Sequence, residues 1–199
     1  MRHRLLRALT AMASLLVLGS AARAAATAPL AALEHARWVA EGSAHPKHVL
    51  YVFMDANCPY CRTLWRDLAP LYGERLQVRE LLVGVISASS PAKAAAILES
   101  PDPAAALRLN EERWNHGPVR GGGIAPLAHP SAQVLNDIRR NEQLMVTFGI
   151  QGTPGVVFAN AQGRLYVIPG LPRRRELAPI VQLAASPAAI APAPHPHAP

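Results

Sequence analysis

What most restricts the fold of this 199-residue chain is a run of β-branched and aromatic residues that ends on a closely spaced cysteine pair. Val49 to Met54 is an uninterrupted apolar segment, as expected of a strand buried on both faces. It leads through Asp55-Ala56-Asn57 into Cys58-Pro59-Tyr60-Cys61. Beyond Pro59, Leu64, Leu68 and Leu71 fall at i, i+4 and i+7, the apolar stripe of a helix that begins near Cys58 and is stopped by Gly73. Leu76 to Ile86 then alternates and turns wholly apolar, which predicts a second central strand. Strand, helix, strand at this spacing implies a right-handed parallel crossover, half of an α/β domain.

The rest of the chain completes that half. Ala31 to Glu41 predicts a short amphipathic helix with Leu33, Trp38 and Val39 on one side, ended by Gly42 and Ser43. Pro91 to Leu98, Pro103 to Trp114 and Ser131 to Phe148 read as helices of an insertion, broken by a Pro/Gly-rich loop from His116 to Pro130. Gly121-Gly122-Gly123 in that loop is not a phosphate cradle, because no strand leads into it and no Lys-Ser/Thr pair follows. Gly155 to Ala159 and Arg164 to Ile168 form a predicted hairpin, and Arg173 to Leu183 a closing helix. From Ser186 the Ala/Pro-rich tail offers nothing to bury and reads as a disordered, polyproline-like extension.

Charge points away from nucleic acid once its distribution is considered. The net charge of +7 includes Arg2, Arg4, Arg7 and Arg23, and removing them leaves 16 basic against 13 acidic residues. A balance of +3 is too weak for a phosphate-binding surface. Those four arginines flank an apolar stretch from Ala8 to Leu18 followed by Ala22-Arg23-Ala24, the basic region, apolar region and small-residue site of an export signal. The stretch is shorter than the roughly 20 residues a spanning helix needs. A soluble, exported mature protein is expected.

In an oxidising compartment two cysteines can be structural or redox-active, and spacing separates the readings. At a helix N-terminus, free N–H groups and the helix dipole favour an anion, so Cys58 is expected to be an exposed, low-pKa nucleophile. Cys61, one turn further in, is the expected resolving thiol, able to attack a mixed disulfide at Cys58. Zinc would need two more cysteine or histidine ligands, and no other cysteine exists. An inert disulfide would gain little entropy from so short a loop. No metal or cofactor is expected.

A second signal is Gly152-Thr153-Pro154-Gly155, directly before the apolar Val156-Val157-Phe158. Alone it reads as an ordinary turn proline, since only about 5–6% of X-Pro bonds are cis. In a thioredoxin-like fold, a proline here is cis, lies opposite the Cys-x-x-Cys helix and exposes the backbone of the residue before it. Its co-occurrence with Cys58-Pro59-Tyr60-Cys61 favours that second reading.

Taken in order, Tyr51-Val52-Phe53 before Cys58-Pro59-Tyr60-Cys61, Leu81 to Ile86, Ser90-Pro91-Ala92, Ala94 to Leu98, Asp102-Pro103-Ala104, Asn141-Glu142, Leu144-Met145, Thr153-Pro154 and Gly170-Leu171-Pro172 form a specific set. The sequence resembles the periplasmic thiol:disulfide interchange proteins of the DsbG/DsbC family, the DsbG branch more closely, over roughly Leu33 to Leu183. The resemblance implies a thioredoxin-like α/β fold with a helical insertion between the strand-helix-strand half and the C-terminal hairpin. It implies Cys58 attacking, Cys61 resolving, Pro59 and Tyr60 in the active-site loop, and Thr153 with cis-Pro154 shaping a substrate site. Disulfide exchange, by reduction or isomerisation, and reduction of sulfenylated cysteines in exported proteins are the implied activities, in the periplasm, with a redox partner recycling the pair.

The expected organisation is an export signal over 1–24, a residual linker helix and loop over 25–48, a redox domain over 49–184 with its insertion at about 91–148, and a tail over 185–199. The family's N-terminal dimerisation domain is not expected, so a monomer is, and a dithiol oxidase or a binding module with a structural disulfide stands as the alternative. Asp55 reads equally as a group that tunes the thiol or as a cap of the strand-to-helix turn. Asp137 and Glu142 read as solvated helix charges, Trp65 and Trp114 as packing residues, and His195 and His197 as solvated.

Overall fold

The computed structural model describes residues 29–117 and 121–190, so the export signal read at 1–24 and the histidines of the tail lie outside the described residues. The apolar run before the cysteines is strand β2 (His48–Asp55), and every residue after His48 in it is buried. Because successive side chains in a strand point to opposite faces, Leu50, Val52 and Met54 enter one core and Val49, Tyr51 and Phe53 the other. Only a strand covered on both sides can be apolar throughout, which places β2 in the middle of the sheet.

The five-stranded sheet has the order β1-β3-β2-β4-β5. Strand β3 (Leu76–Val83) runs parallel to β2, with Val52 opposite Glu80 and Asp55 opposite Val83. Strand β4 (Gly155–Ala159) is antiparallel to β2 and continues through the Asn160 to Arg164 turn into β5 (Leu165–Pro169). In that turn Gly163 has φ +77°, a conformation that glycine takes at little cost.

Helix α1 occupies 29–34 and α2 is Pro59–Leu68. Pro59 stands at the first helical position, where its missing N–H is no loss, and Leu64 and Leu68 are buried. The helix ends earlier than the expected stripe to Leu71. Pro70 cannot donate the next helical hydrogen bond, and the chain tightens into a 3-10 turn over Ala69–Glu74. The insertion contributes α3 (Ser90–Leu98), α4 (Pro103–Glu112) and α5 (Ala132–Thr147). Helix α6 (Arg174–Leu183) closes the face that holds α2. Among the described residues, no helix is long and apolar enough to cross a membrane.

Three expectations are corrected. Ala31 to Glu41 is not one helix: α1 stops at 34, and Val39–Gly42 is strand β1, antiparallel to β3 with Val39 opposite Glu80. The open edge of β3 offers hydrogen bonds that outweigh the local helical pattern. This strand belongs to the sheet, so residues 39–42 are not part of a linker. The second central strand ends at Val83 rather than Ile86, because the N–H groups of Val85 and Ile86 turn to the Asp55 carboxylate. The tail begins with order: the Ala185 N–H donates to the Ala159 carbonyl, and α7 (Pro187–Ile190) places Ile190 in the core beside the β4–β5 turn.

Leu64, 1% exposed, joins α2 to the sheet through the same core that holds both cysteines. Leu64→Ala is expected to lower the unfolding free energy by about 2–5 kcal/mol, read from urea denaturation of the reduced protein. A loss under about 0.5 kcal/mol would mean that α2 is not held by this contact.

Candidate active site

Cys58 is the N-cap of α2. Its Sγ accepts the backbone N–H of Cys61 at 3.3 Å, and as a thiol it donates to the Thr153 carbonyl at 3.3 Å. The Cys58 N–H donates to the Asp55 carbonyl at 2.9 Å, closing the tight turn out of β2. Across from the helix, the Thr153-Pro154 peptide bond is cis. The residues singled out in the sequence at 58, 61, 153 and 154 therefore converge. Pro59 and Tyr60 form the exposed rim, Tyr60 being 62% accessible.

Exposure does not distinguish the two sulfurs. Cys58 is 1% and Cys61 2% accessible, contrary to an exposed nucleophile, because the helix start is set under its own rim. Both are free thiols, and their surroundings separate them. The Cys58 pKa is lowered to about 6, chiefly by the hydrogen bond from the Cys61 thiol. The Thr153 hydroxyl and the backbone N–H groups of Cys61 and Tyr60 add to this, while burial opposes it. Burial pushes the Cys61 thiol well above its ordinary value, and the neighbouring Cys58 sulfur adds to that. At neutral pH one sulfur is a thiolate and the other its hydrogen-bond donor.

Asp55 is fully enclosed, and the hydrogen bonds of its carboxylate go to groups other than the sulfurs. It accepts the Asn57 N–H at 2.8 Å, the Ser90 hydroxyl at 2.7 Å, and the Val85 and Ile86 N–H groups at 2.7 and 2.9 Å. Asn57 donates to the hydroxyls of Ser87, Ser89 and Ser90. Its carbonyl oxygen accepts from the Lys93 ammonium at 2.9 Å, and Lys93 also donates to the Gly122 carbonyl at 2.7 Å. Burial lowers the pKa of Lys93, and the Asp55 charge opposes that shift.

The sequence reading missed a group of buried acids on the core side of β3. Glu41 accepts from the Trp65 indole and the Tyr72 hydroxyl and lies 3.6 Å from Arg108. Glu111 accepts from the Asn110 amide at 2.9 Å through one oxygen, and among the described residues neither its other oxygen nor Glu80 Oε2 has a hydrogen-bond partner. Desolvation raises all three carboxyls, Glu111 to about 8 and Glu80 well above the usual range. Glu80 interrupts the otherwise apolar face that Leu76, Val78 and Leu82 form on β3, the one signal in the sequence that marks such a site. Of the other candidates, Asp137 lies 3.8 Å from Arg140, while Glu142 is not a solvated charge: it accepts the Gly84 N–H at 3.0 Å. Among the described residues, no group of three His, Cys, Asp or Glu side chains is placed to hold a metal ion.

Two outcomes are expected. Alkylation of reduced Cys58 should be half-maximal near pH 6 and fall about tenfold per unit below it, with Cys61 unlabelled at neutral pH, as followed by peptide mass spectrometry. Equal labelling of both at pH 7 would contradict the assignment. For Glu111 the folded pKa of about 8 exceeds the ordinary 4.5, so the folded state binds more protons between those values and loses stability as pH rises through them. Glu111→Gln, which keeps an acceptor for Asn110, should flatten that loss in denaturation curves taken from about pH 5 to 8.

Residues 33–185 match the thioredoxin-like domain family. The chain is 36% identical over 150 residues to the thiol:disulfide interchange protein DsbG of Pseudomonas aeruginosa, covering 75% of this chain and 57% of that protein. It is 34% identical over 151 residues to DsbG of Escherichia coli, covering 73% and 57%. The chain thus spans 57% of the length of each of these relatives. Among solved structures, a periplasmic thioredoxin-like protein from Salmonella enterica serovar Typhimurium superposes with a TM-score of 0.62 at 25% identity, covering 77% of this chain and 94% of that one. The catalytic domain of Proteus mirabilis ScsC shares the fold, with a TM-score of 0.64 at 24% identity over 80% of this chain and 96% of that one. With a cysteine pair at a helix start opposite a cis-proline, this chain belongs to the thioredoxin-like family and is similar to the DsbG proteins within it.

Proposed function

We propose that this protein is a periplasmic thiol:disulfide oxidoreductase in which Cys58 attacks and Cys61 resolves. The observation that carries the reading is the opposite displacement of two adjacent thiols, Cys58 down to about 6 and Cys61 upward. The Cys58 thiolate attacks one sulfur of a substrate disulfide, forming a mixed disulfide and releasing the other sulfur as a thiolate. Cys61 then loses its proton and attacks Cys58 Sγ, which frees the substrate's second thiolate and leaves a Cys58–Cys61 disulfide. Both electrons passed to the substrate come from the pair, and an external redox partner must restore them. A sulfenylated cysteine fits the same first step, with hydroxide leaving and becoming water.

Thr153 and cis-Pro154 would present backbone to an extended substrate, and Pro59 with Tyr60 would form the rim it crosses. Asp55 would hold the turn rather than tune the sulfur, since its four partners are donors of the surrounding loops. The basic and apolar pattern read as a leader over 1–24 supports export. A second reading, a dithiol oxidase, is favoured by the low Cys58 pKa: a stabilised thiolate favours the reduced form and makes the disulfide more oxidising.

Cys61→Ser should strand the mixed disulfide, so cells exporting this variant should yield thiol-sensitive complexes of Cys58 with exported proteins on non-reducing gels. Adding Cys58→Ser should remove them all. Acid-quenched alkylation of the wild type separates the directions: a pair resting reduced indicates a reductase or isomerase, and one resting oxidised an oxidase. A chain that forms no such complexes is a binding module instead.

A further inference from the structure

Beside Cys58, a cavity of about 590 Å³ is lined by Asn57, Pro59, Arg62, Thr63, Ile86, Ser87, Trp114 and His116. Its volume falls in the usual range of ligand sites, roughly 300–1,000 Å³. One wall is the start of α2, the second the loop after β3, and the third the strap that follows α4. Ile86 is 49% exposed on it, and the half-buried Trp114 lies with its ring 5.8 Å from the Arg62 guanidinium.

The strap is fastened to the active-site turn. Asn115 and Gly121 form a β-bridge, and the Gly122 N–H donates to the Ala56 carbonyl at 3.0 Å. Lys93 ties the Gly122 carbonyl to Asn57, the residue before Cys58. A Cβ at Gly122 would come within 2.0 Å of Asn110 Oδ1, so only glycine allows the approach. The wall bearing Trp114 is therefore built at a set distance from Cys58.

Charge identifies the occupant. Among the described residues, no carboxylate lines the cavity. Arg62 spends its Nε on the Glu111 carbonyl at 2.8 Å, and its guanidinium, over the Trp114 ring, makes no salt bridge among the described residues. We propose that this groove selects substrates: it takes a large apolar side chain near the attacked cysteine against Trp114 and Ile86, with an acidic residue two positions further along the substrate, on the same face, meeting Arg62. In an extended chain, residues two apart face the same way, so the side chain two positions from the cysteine enters. The ligand is thus a segment of the partner polypeptide itself, and the inference rests on Cys58 acting as the attacking thiol.

The test uses the reduced full chain and peptides presented as mixed disulfides with mercaptoethanol. One has the flanks Glu-Gly-Phe-Gly-Cys-Gly-Phe-Gly-Glu, a second replaces Glu by Lys, and a third replaces Phe and Glu by Ala. Each rate is divided by the same variant's rate with hydroxyethyl disulfide, too small to fill the groove, so changes in thiol reactivity cancel. The Glu/Phe peptide should react about tenfold faster than the Ala peptide, the scale expected for burying one aromatic side chain. Trp114→Ala and Ile86→Ser should each cut that ratio to under about threefold, and Ile86, on an exposed loop, gives a variant that folds if Trp114→Ala does not. Arg62→Gln should abolish discrimination between the Glu and Lys peptides. Equal ratios in the wild type, or a preference that survives in the groove variants, would overturn the proposal. No reaction with hydroxyethyl disulfide at all would overturn the oxidoreductase reading itself.

Discussion

The arrangement around the cysteines depends on the carboxylate of Asp55. It sits where β2 ends, fully enclosed, and collects four hydrogen bonds from three places: the turn to Cys58, the chain leaving β3, and the start of α3. A buried anion is costly unless donors surround it, and here the donors are the backbone ends that would otherwise be unsatisfied. The same contacts stop β3 at Val83 and set the direction of the chain into α2. Remove that carboxylate and several buried donors lose their acceptor at once.

On that frame the two sulfurs divide one proton between them. Desolvated and beside the Cys58 charge, Cys61 keeps its hydrogen, and that hydrogen stabilises the Cys58 thiolate. The helix start, which the sequence suggested as the main cause, contributes through individual N–H groups of Tyr60 and Cys61 but is not the largest influence. Behind the pair, burial raises the carboxyls of Glu80 and Glu111, Glu111 to about 8, and Glu111 feels the Cys58 charge. A protonated Glu111 adds no negative charge beside the thiolate.

Much of the fold was legible because its signals are local. The apolar run of β2, the Leu64 and Leu68 stripe, and the β4–β5 hairpin with its glycine turn each depend on neighbours within one element. Where the reading failed, partners distant in sequence decided the outcome. Val39 to Gly42 became a strand because β3 had a free edge, Val85 and Ile86 left their strand for Asp55, and Ile190 found a hydrophobic contact that the tail composition hid. The Asn57–Lys93–Gly122 linkage joins residues up to 65 apart and leaves no mark on any short window.

The sequence by itself determined the order of elements and the chemistry at stake: two thiols at a helix start after a central strand. Those follow from side-chain periodicity and from what cysteine can do locally, whereas a proline facing the thiols was implied only by the family resemblance. Only the tertiary structure decided what chiefly lowers the Cys58 pKa, that neither sulfur is open to solvent, and that a tryptophan of the insertion stands beside them. Burial and hydrogen bonding set these properties, and both arise from groups that come together only when the chain has folded.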